Sequence, residues 1–150
     1  MKKIALAADH AGYLLKGKII AYLTEKGYEC VNLGTDTADS VDYPVYANKL
    51  CESILSGECE CGILICGTGI GMSIAANRHK GIRAALCYAE NCVELTRQHN
   101  NANVLCLGAN ITGPAIALNA VKTFLATDFE GGRHQRRVDK MMAIETTPSH

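Results

Sequence analysis

An excess of charge of either sign is missing from this 150-residue chain, in which 15 Lys and Arg offset 15 Asp and Glu. Without a like-charge block longer than a short triad, there is no electrostatic reason to expect nucleic acid or an anionic membrane as partner. No apolar stretch approaches the ~20 residues that a helix needs to cross a bilayer. The small apolar run in MKKIALAADHAG breaks at Asp9-His10, too early for a leader, so it reads as a first strand. A cytoplasmic protein is the expectation. Internal repeats, linkers and low-complexity segments are also missing, which predicts one domain over residues 1–150, a length that buries about two-thirds of the unfolded surface. Neither an H-E-x-x-H motif nor a second pair to match Cys59-Glu60-Cys61 is present, so no metal is expected, and no cofactor.

Cysteine, by contrast, is plentiful. The eight cysteines fall within apolar segments (Cys30, Cys66, Cys87, Cys106) or on predicted helices (Cys51, Cys92) without framework-like spacing, and so read as reduced thiols.

Apolar or β-rich runs at 4–8, 29–33, 63–66, 83–87 and 104–107 predict strands, and the segments 13–26, 43–56, 72–77, 89–98 and 115–126 carry helical patterns. In the first of these helices Leu14, Leu15, Ile19, Tyr22 and Leu23 follow the three-to-four spacing, and Gly27 stops it. Pro44 and Pro114 fall in first turns, where a missing N–H does no harm. The strands read as continuous rather than alternating apolar runs, so both of their faces are covered. The expected class is α/β, a three-layer Rossmann-like fold with a five-stranded parallel sheet. Val138, Met141, Met142 and Ile144, within 130–145, form a weak helical pattern that fits a C-terminal helix docked on this domain or on a second subunit.

In parallel sheets ligands bind at the carboxyl ends of the strands, where loops lead into helix N-termini. That rule collects Asp9-His10, Gly34-Thr35-Asp36, the run Cys66-Gly67-Thr68-Gly69-Ile70-Gly71, and Gly108-Ala109-Asn110 on one rim. The glycine spacing in the third loop is G-x-G-x-G, which is neither the dinucleotide fingerprint nor a P-loop. Its backbone amides can turn toward one concave spot that suits an oxyanion, although a tight turn would use the same glycines. Cys66 at a helix N-terminus is either a proton-transfer base or an inert buried thiol. His99 with Asn100, in TRQHNNANV, is either a helix-end cation or a general acid. Asp9 is either a cap or a ligand, and Arg133, His134, Arg136 and Arg137 form either a solvated basic patch or a phosphate clamp. A non-catalytic nucleotide- or phosphate-binding module is the rival reading. It is disfavoured because the second strand ends in Asn32-Leu33-Gly34, without an acidic residue in the place a ribose diol requires.

DHAG at 9–12, DYP at 42–44, ICGTGIGMSIAANR at 65–78, GIRAA at 81–85, RQHNNANV at 97–104 and EGGRHQRRV at 130–138 occur in order along nearly the whole chain. Together they resemble the type B ribose-5-phosphate isomerases, a family that also includes allose-6-phosphate isomerases and galactose-6-phosphate isomerase subunits. The resemblance implies a metal-free aldose–ketose isomerisation of a phosphorylated sugar through a cis-enediolate. By that resemblance Cys66 shuttles the proton between C2 and C1, and His99 opens the furanose ring. Thr68 and the loop Gly67, Gly69, Ile70 and Gly71 stabilise the enediolate oxygen, while Asp9 and Asn100 hold sugar hydroxyls. Tyr43 lines the pocket, and His10, Arg133 and Arg137 hold the phosphate. The resemblance further implies a homodimer or tetramer whose sites are shared, with His99 and Asn100 reaching a neighbour's pocket. One departure is Asn110, where pentose-phosphate members commonly place an arginine; that wording is closer to the galactose-6-phosphate branch.

Overall fold

The computed structural model describes residues 2–144, so Glu145, at the end of the expected C-terminal pattern, lies outside the described residues. The chain runs β1 Lys3–Ala8, α1 Tyr13–Glu25, β2 Glu29–Asn32, α2 Tyr43–Leu55, β3 Cys61–Cys66, α3 Ile70–Asn77, β4 Ala84–Leu86, α4 Glu90–Leu95, a π-helical turn Thr96–Asn100, β5 Val104–Gly108, α5 Pro114–Ala126 and α6 Arg133–Ile144. The five strands form one parallel sheet in the order β2-β1-β3-β5-β4.

Side-chain alternation along β1 shows why its run is apolar throughout. Ile4, Leu6 and Ala8 pack with Leu15, Ile19 and Leu23 of α1 and with Val121 and Phe124 of α5. Ala5 and Ala7 face the other way, onto Ala47, Leu50 and Cys51 of α2 and Met72 and Ala76 of α3. Each buried leucine or isoleucine contributes about 1.5–3 kcal/mol, so the two apolar layers are the main source of stability. The strand order reverses at β1, because the chain steps outward to β2 and then returns to β3 on the opposite side. That reversal opens a crevice beyond the ends of β1 and β3, where Asp9 and Cys66 stand.

Three elements depart from the expected bounds by more than one residue at an end. β3 starts at Cys61 rather than 63, and α3 begins at Ile70 rather than 72, so Ile70 and Gly71 are helical residues at the end of the glycine loop. The single helix expected over 89–98 is instead α4 followed by the π-turn, so His99 and Asn100 lie inside the last turn rather than beyond it. Arg97 is the physical reason for the widened turn. Its Nη1 donates to Asn101 Oδ1 at 2.9 Å and to the Ala102 carbonyl at 2.7 Å, and its Nε donates to the Thr127 carbonyl at 3.1 Å. The bond to Thr127 is tertiary and leaves no trace in periodicity.

A buried lysine fixes the loop beside the crevice. Lys16 is only 1% exposed, yet its Nζ donates to Asn32 Oδ1 at 2.5 Å and to Asp36 Oδ1 at 2.6 Å. Asn32 Oδ1 also accepts the Gly34 amide, while Thr35 N donates to the Ala8 carbonyl and Ala8 N to that of Gly34. The loop after β2 is thereby fastened to the residue preceding Asp9. Hydrogen bonds from Lys16 and then Asn32 hold the Asp36 carboxyl below its usual range. Because the folded-state value is depressed, this stabilisation is complete above the ordinary aspartate range and is lost as pH falls through the lower, folded value. Asp36→Asn should therefore be less stable than wild type in urea unfolding at pH 7, with the difference closing as the solution is acidified toward pH ~3.

Candidate active site

The loop joining β3 to α3 is built around a sulfur. Cys66, 6% exposed, receives the Gly69 amide on Sγ at 3.1 Å. An N–H aimed at sulfur is a contact that a thiolate uses better than a thiol. Gly69 has φ +81, a left-handed conformation that brings its amide back toward Cys66. The Ile70 amide donates to Thr68 Oγ1 at 3.2 Å, which leaves the threonine hydroxyl proton free to donate elsewhere. Two of the loop amides assigned to an oxyanion are thus committed within the loop. Those of Gly67 and Thr68 have no intramolecular acceptor among the described residues.

The segment after β5 braces this loop from behind. Ala109 N donates to the Cys66 carbonyl and Asn110 N to that of Gly67, both at 2.9 Å, and Tyr88 Oη donates to the Thr68 carbonyl at 2.6 Å. Asn110, the residue standing where an arginine was expected, also lays its side-chain amide beside Gly67. Gly108 permits the approach: a Cβ there would stand 2.5 Å from the Thr68 carbonyl oxygen. Because backbone cannot yield as a side-chain tip can, Gly108→Ala should cost about 3 kcal/mol or more, measured as a lowered midpoint in chemical unfolding.

Asp9 follows β1 and is 7% exposed; its Oδ1 accepts the amides of Ala11 at 3.0 Å and Gly12 at 3.1 Å. This is an Asx turn that closes the 9–12 segment before α1, whose own N-cap is Gly12 without a side-chain cap, so Asp9 uses one carboxylate oxygen on the turn and does not cap the helix. His10 accepts the Val41 amide on Nδ1 at 3.2 Å, an assignment that places the proton of a neutral ring on Nε2, the remaining donor. Tyr43, at the start of α2, lays its ring against Gly71, where an added Cβ would meet it at 2.6 Å. Asp9, His10, Tyr43 and the 66–71 loop therefore cluster at the crevice.

His99, Asn100 and Arg137 form a different group. With His134, Val138 and Met141 they line a cavity of about 270 Å³ to which Cys66 does not contribute. The rings of His99 and His134 stack with centroids 4.3 Å apart and planes 14° from parallel. Glu130 Oε1 lies 3.4 Å from His134 Nε2 and 3.9 Å from His99 Nε2. Burial, followed by the neighbouring His99 and Arg133, pushes the His134 pKa down. Arg133 and Arg137 are exposed, and neither guanidinium has an intramolecular partner among the described residues. Sequence reasoning passed over Glu130 and left His134 within a basic patch. The available signal was their i, i+4 spacing across Gly131-Gly132, two residues of positive φ that turn the chain into α6.

His99, Glu130 and His134 place ligand atoms within 4.8 Å of one another, a distance that a metal could bridge. The near-parallel rings, however, keep their in-plane lone pairs in two separate, near-parallel planes that do not meet on one ion. As arranged, the trio is a stacked pair on a shared carboxylate and not a preformed chelate.

The remaining buried cysteines are structural. Burial pushes Cys51 up to about 12 and both Cys61 and Cys87 to about 11, and it raises Cys106 well above the ordinary thiol value. They stay protonated at neutral pH and act as small core side chains.

The chain matches known proteins along nearly its full length. Residues 4–141 match the family model described as Ribose/Galactose Isomerase. The chain is 47% identical over 145 residues to ribose-5-phosphate isomerase B of Escherichia coli, covering 97% of each protein. A ribose 5-phosphate isomerase structure from Thermotoga maritima superposes with a TM-score of 0.93 at 54% identity, covering 95% of this chain and 98% of that one. Ribose-5-phosphate isomerase B from Mycoplasma genitalium, solved with bound ribulose-5-phosphate, superposes with the same TM-score of 0.93 at 42% identity and 97% coverage of both chains. From the matched residues and the shared fold together, this chain belongs to the ribose/galactose isomerase family.

Proposed function

We propose that the chain is a ribose-5-phosphate isomerase, a single-domain enzyme that interconverts ribose 5-phosphate and ribulose 5-phosphate in the cytoplasm. The observation that carries this reading is the Cys66 sulfur, held by the Gly69 amide beside the open amides of Gly67 and Thr68 at the β1/β3 crevice.

On this reading His99 moves a proton onto the ring oxygen as the anomeric hydroxyl gives one up, which opens the furanose. The Cys66 thiolate then takes the C2 hydrogen as a proton. The released electron pair forms the C1–C2 double bond, and negative charge passes to the former carbonyl oxygen at C1. Donors preorganised toward that oxygen contribute about 3 kcal/mol each, and Thr68 with the loop from Gly67 through Gly69 and Ile70 to Gly71 surrounds it. The thiol returns the proton to C1 while the proton on O2 passes to O1, so that O2 becomes the ketose carbonyl and O1 a hydroxyl. Asp9 and Asn100 hold sugar hydroxyls, Tyr43 lines the pocket, and His10, Arg133 and Arg137 bind the phosphate dianion with directed N–H donors. These steps are proton transfers among this chain's own side chains.

The separation of Cys66 from the His99 cavity supports a site completed by a second copy, in a homodimer or a tetramer. An apolar recess of about 690 Å³ favours the same assembly. It lies along the edge strand β4, where Leu86 and Cys87 face Met141, Met142 and Ile144 of α6, and it reaches Asn100. Ile144 is 72% exposed in the single chain, a position that costs free energy in water and is relieved by a partner surface.

A second reading within the family, isomerisation of allose 6-phosphate or galactose 6-phosphate, is favoured by Asn110. Separate incubations of the purified chain with ribose 5-phosphate and with each hexose 6-phosphate, followed by measurement of ketose, decide between them. Turnover of ribose 5-phosphate is the expected result. Conversion of a hexose phosphate alone would transfer the assignment, and stabilisation by NAD without turnover of any sugar phosphate would favour the binding module.

A further inference from the structure

We propose that Glu130 and His134 are positioning residues that hold His99 in the orientation and protonation state needed to open the sugar ring. The inference rests on the role given to His99 above and extends it to two residues outside that assignment. His134 is fixed by the fold: it is 7% exposed, sits in the first turn of α6, and its Nε2 is buried without a hydrogen-bond partner among the described residues. An imidazole so enclosed is a rigid plate, and His99 lies on it face to face. The other restraint is Glu130, whose carboxylate oxygen approaches both Nε2 atoms and whose own amide donates to the Gln98 carbonyl at 3.1 Å. The segment carrying the carboxylate is thereby fastened to the residue next to His99.

The charges around the pair determine where a proton resides. Acting on His134 are His99 from the π-turn, Arg133 and Arg137 from its own helix, and Glu130 from the preceding linker. Burial and the two arginines leave His134 neutral near pH 7, so Glu130 is the one neighbour in this set that draws a proton toward the pair. His99, which keeps 40% of its side chain in solvent against 9% for His134, is the member that faces the cavity. Stacking on a neutral ring costs little, whereas two stacked imidazolium ions would repel. One carboxylate at its edge and one buried neutral imidazole against its face therefore fix the ring that faces the cavity.

Glu130→Gln keeps the shape and removes the charge. Its aldose conversion should fall about tenfold or more at pH 7.5, with the optimum moved to lower pH. Glu130→Asp should restore part of the neutral-pH rate. Exchange of the ketose C1 hydrogen with D2O, which needs no ring chemistry, should stay within about twofold of wild type. Histidine ring titration by NMR should show the His99 signal titrating at lower pH in Glu130→Gln than in wild type. A His134→Phe variant, which retains a ring to stack on, should preserve the His99 chemical shifts better than His134→Ala. Parallel loss of conversion and exchange in Glu130→Gln would make Glu130 a structural residue only. An unchanged pH profile together with an unchanged His99 titration would likewise overturn the proposal. The NMR titration keeps the test independent of turnover. If wild type converts no sugar phosphate, the assigned function fails while the coupling of Glu130 to His99 is still measured.

Discussion

Cys66→Ala should lower the rate of hydrogen exchange at the sugar carbons, and with it isomerisation, by roughly a thousandfold, within the range of about 10²–10⁴ for a positioned proton-transfer group. The variant should nevertheless fold. The lost volume is one sulfur at the crevice end of β3, flanked by the small side chains of a sheet already rich in alanine. Its unfolding midpoint should fall by no more than about 1–2 kcal/mol equivalent, the cost of a small core deletion. The pairing of a large kinetic loss with a small loss of stability is the signature to seek. The measurement is deuterium incorporation from D2O into ribose and ribulose 5-phosphate, followed by NMR beside urea unfolding of the same samples. Cys66→Ala exchanging at the wild-type rate would remove the sulfur from the chemistry. Replacement of Cys51 or Cys106, held protonated by burial, should leave exchange within severalfold of wild type as long as the variants fold.

Mixing two dead variants should restore activity. Cys66→Ala and His99→Ala should each lack aldose conversion as homodimers. After dissociation and reassociation at equal concentration, half of the dimers are heterodimers, and each heterodimer carries one site with both native groups and one with neither. About one quarter of the wild-type activity is therefore expected from statistical exchange of a symmetric dimer. The expectation follows from geometry, because Cys66 belongs to the glycine loop while the His99 cavity is lined by Asn100, His134, Arg137, Val138 and Met141. No recovery after verified subunit exchange would place both groups in a site within one chain. A mixture of Cys66→Ala with Thr68→Ala, both on the same loop, is the control that should stay inactive.

These tests draw on features that differ in how far they were legible beforehand. The parallel sheet was readable because strands covered on both faces must be apolar at every covered position, as β3 and β5 are throughout and β1 is from Ile4 to Ala8. The sites at the strand ends followed from the same sheet, since loops leaving a parallel sheet at its carboxyl edge necessarily lie together. The π-turn was not readable. Its cause, Arg97 reaching Thr127, joins positions 30 residues apart. The amide assignments were only half visible for a similar reason. A glycine loop shows that amides are free to turn, but Gly69 turning onto sulfur and Ile70 onto Thr68 depends on the angles at which α3 leaves the strand. Glu130 and His134 were passed over because a histidine among arginines reads as surface charge until burial shows otherwise.

The chain order of strands and helices was determined by sequence alone, because it depends on local composition and spacing, and the same reading supplied the proposed strand-end place of the chemistry and, through the family resemblance, the proposed role of Cys66. Tertiary structure decided which atoms meet: the Gly69 amide on Cys66, Lys16 beneath the loop at 34–36, and His99 stacked on His134 over Glu130. Such contacts join residues that chain order keeps apart, and they turn on distances of a few tenths of an ångström that only packing can set.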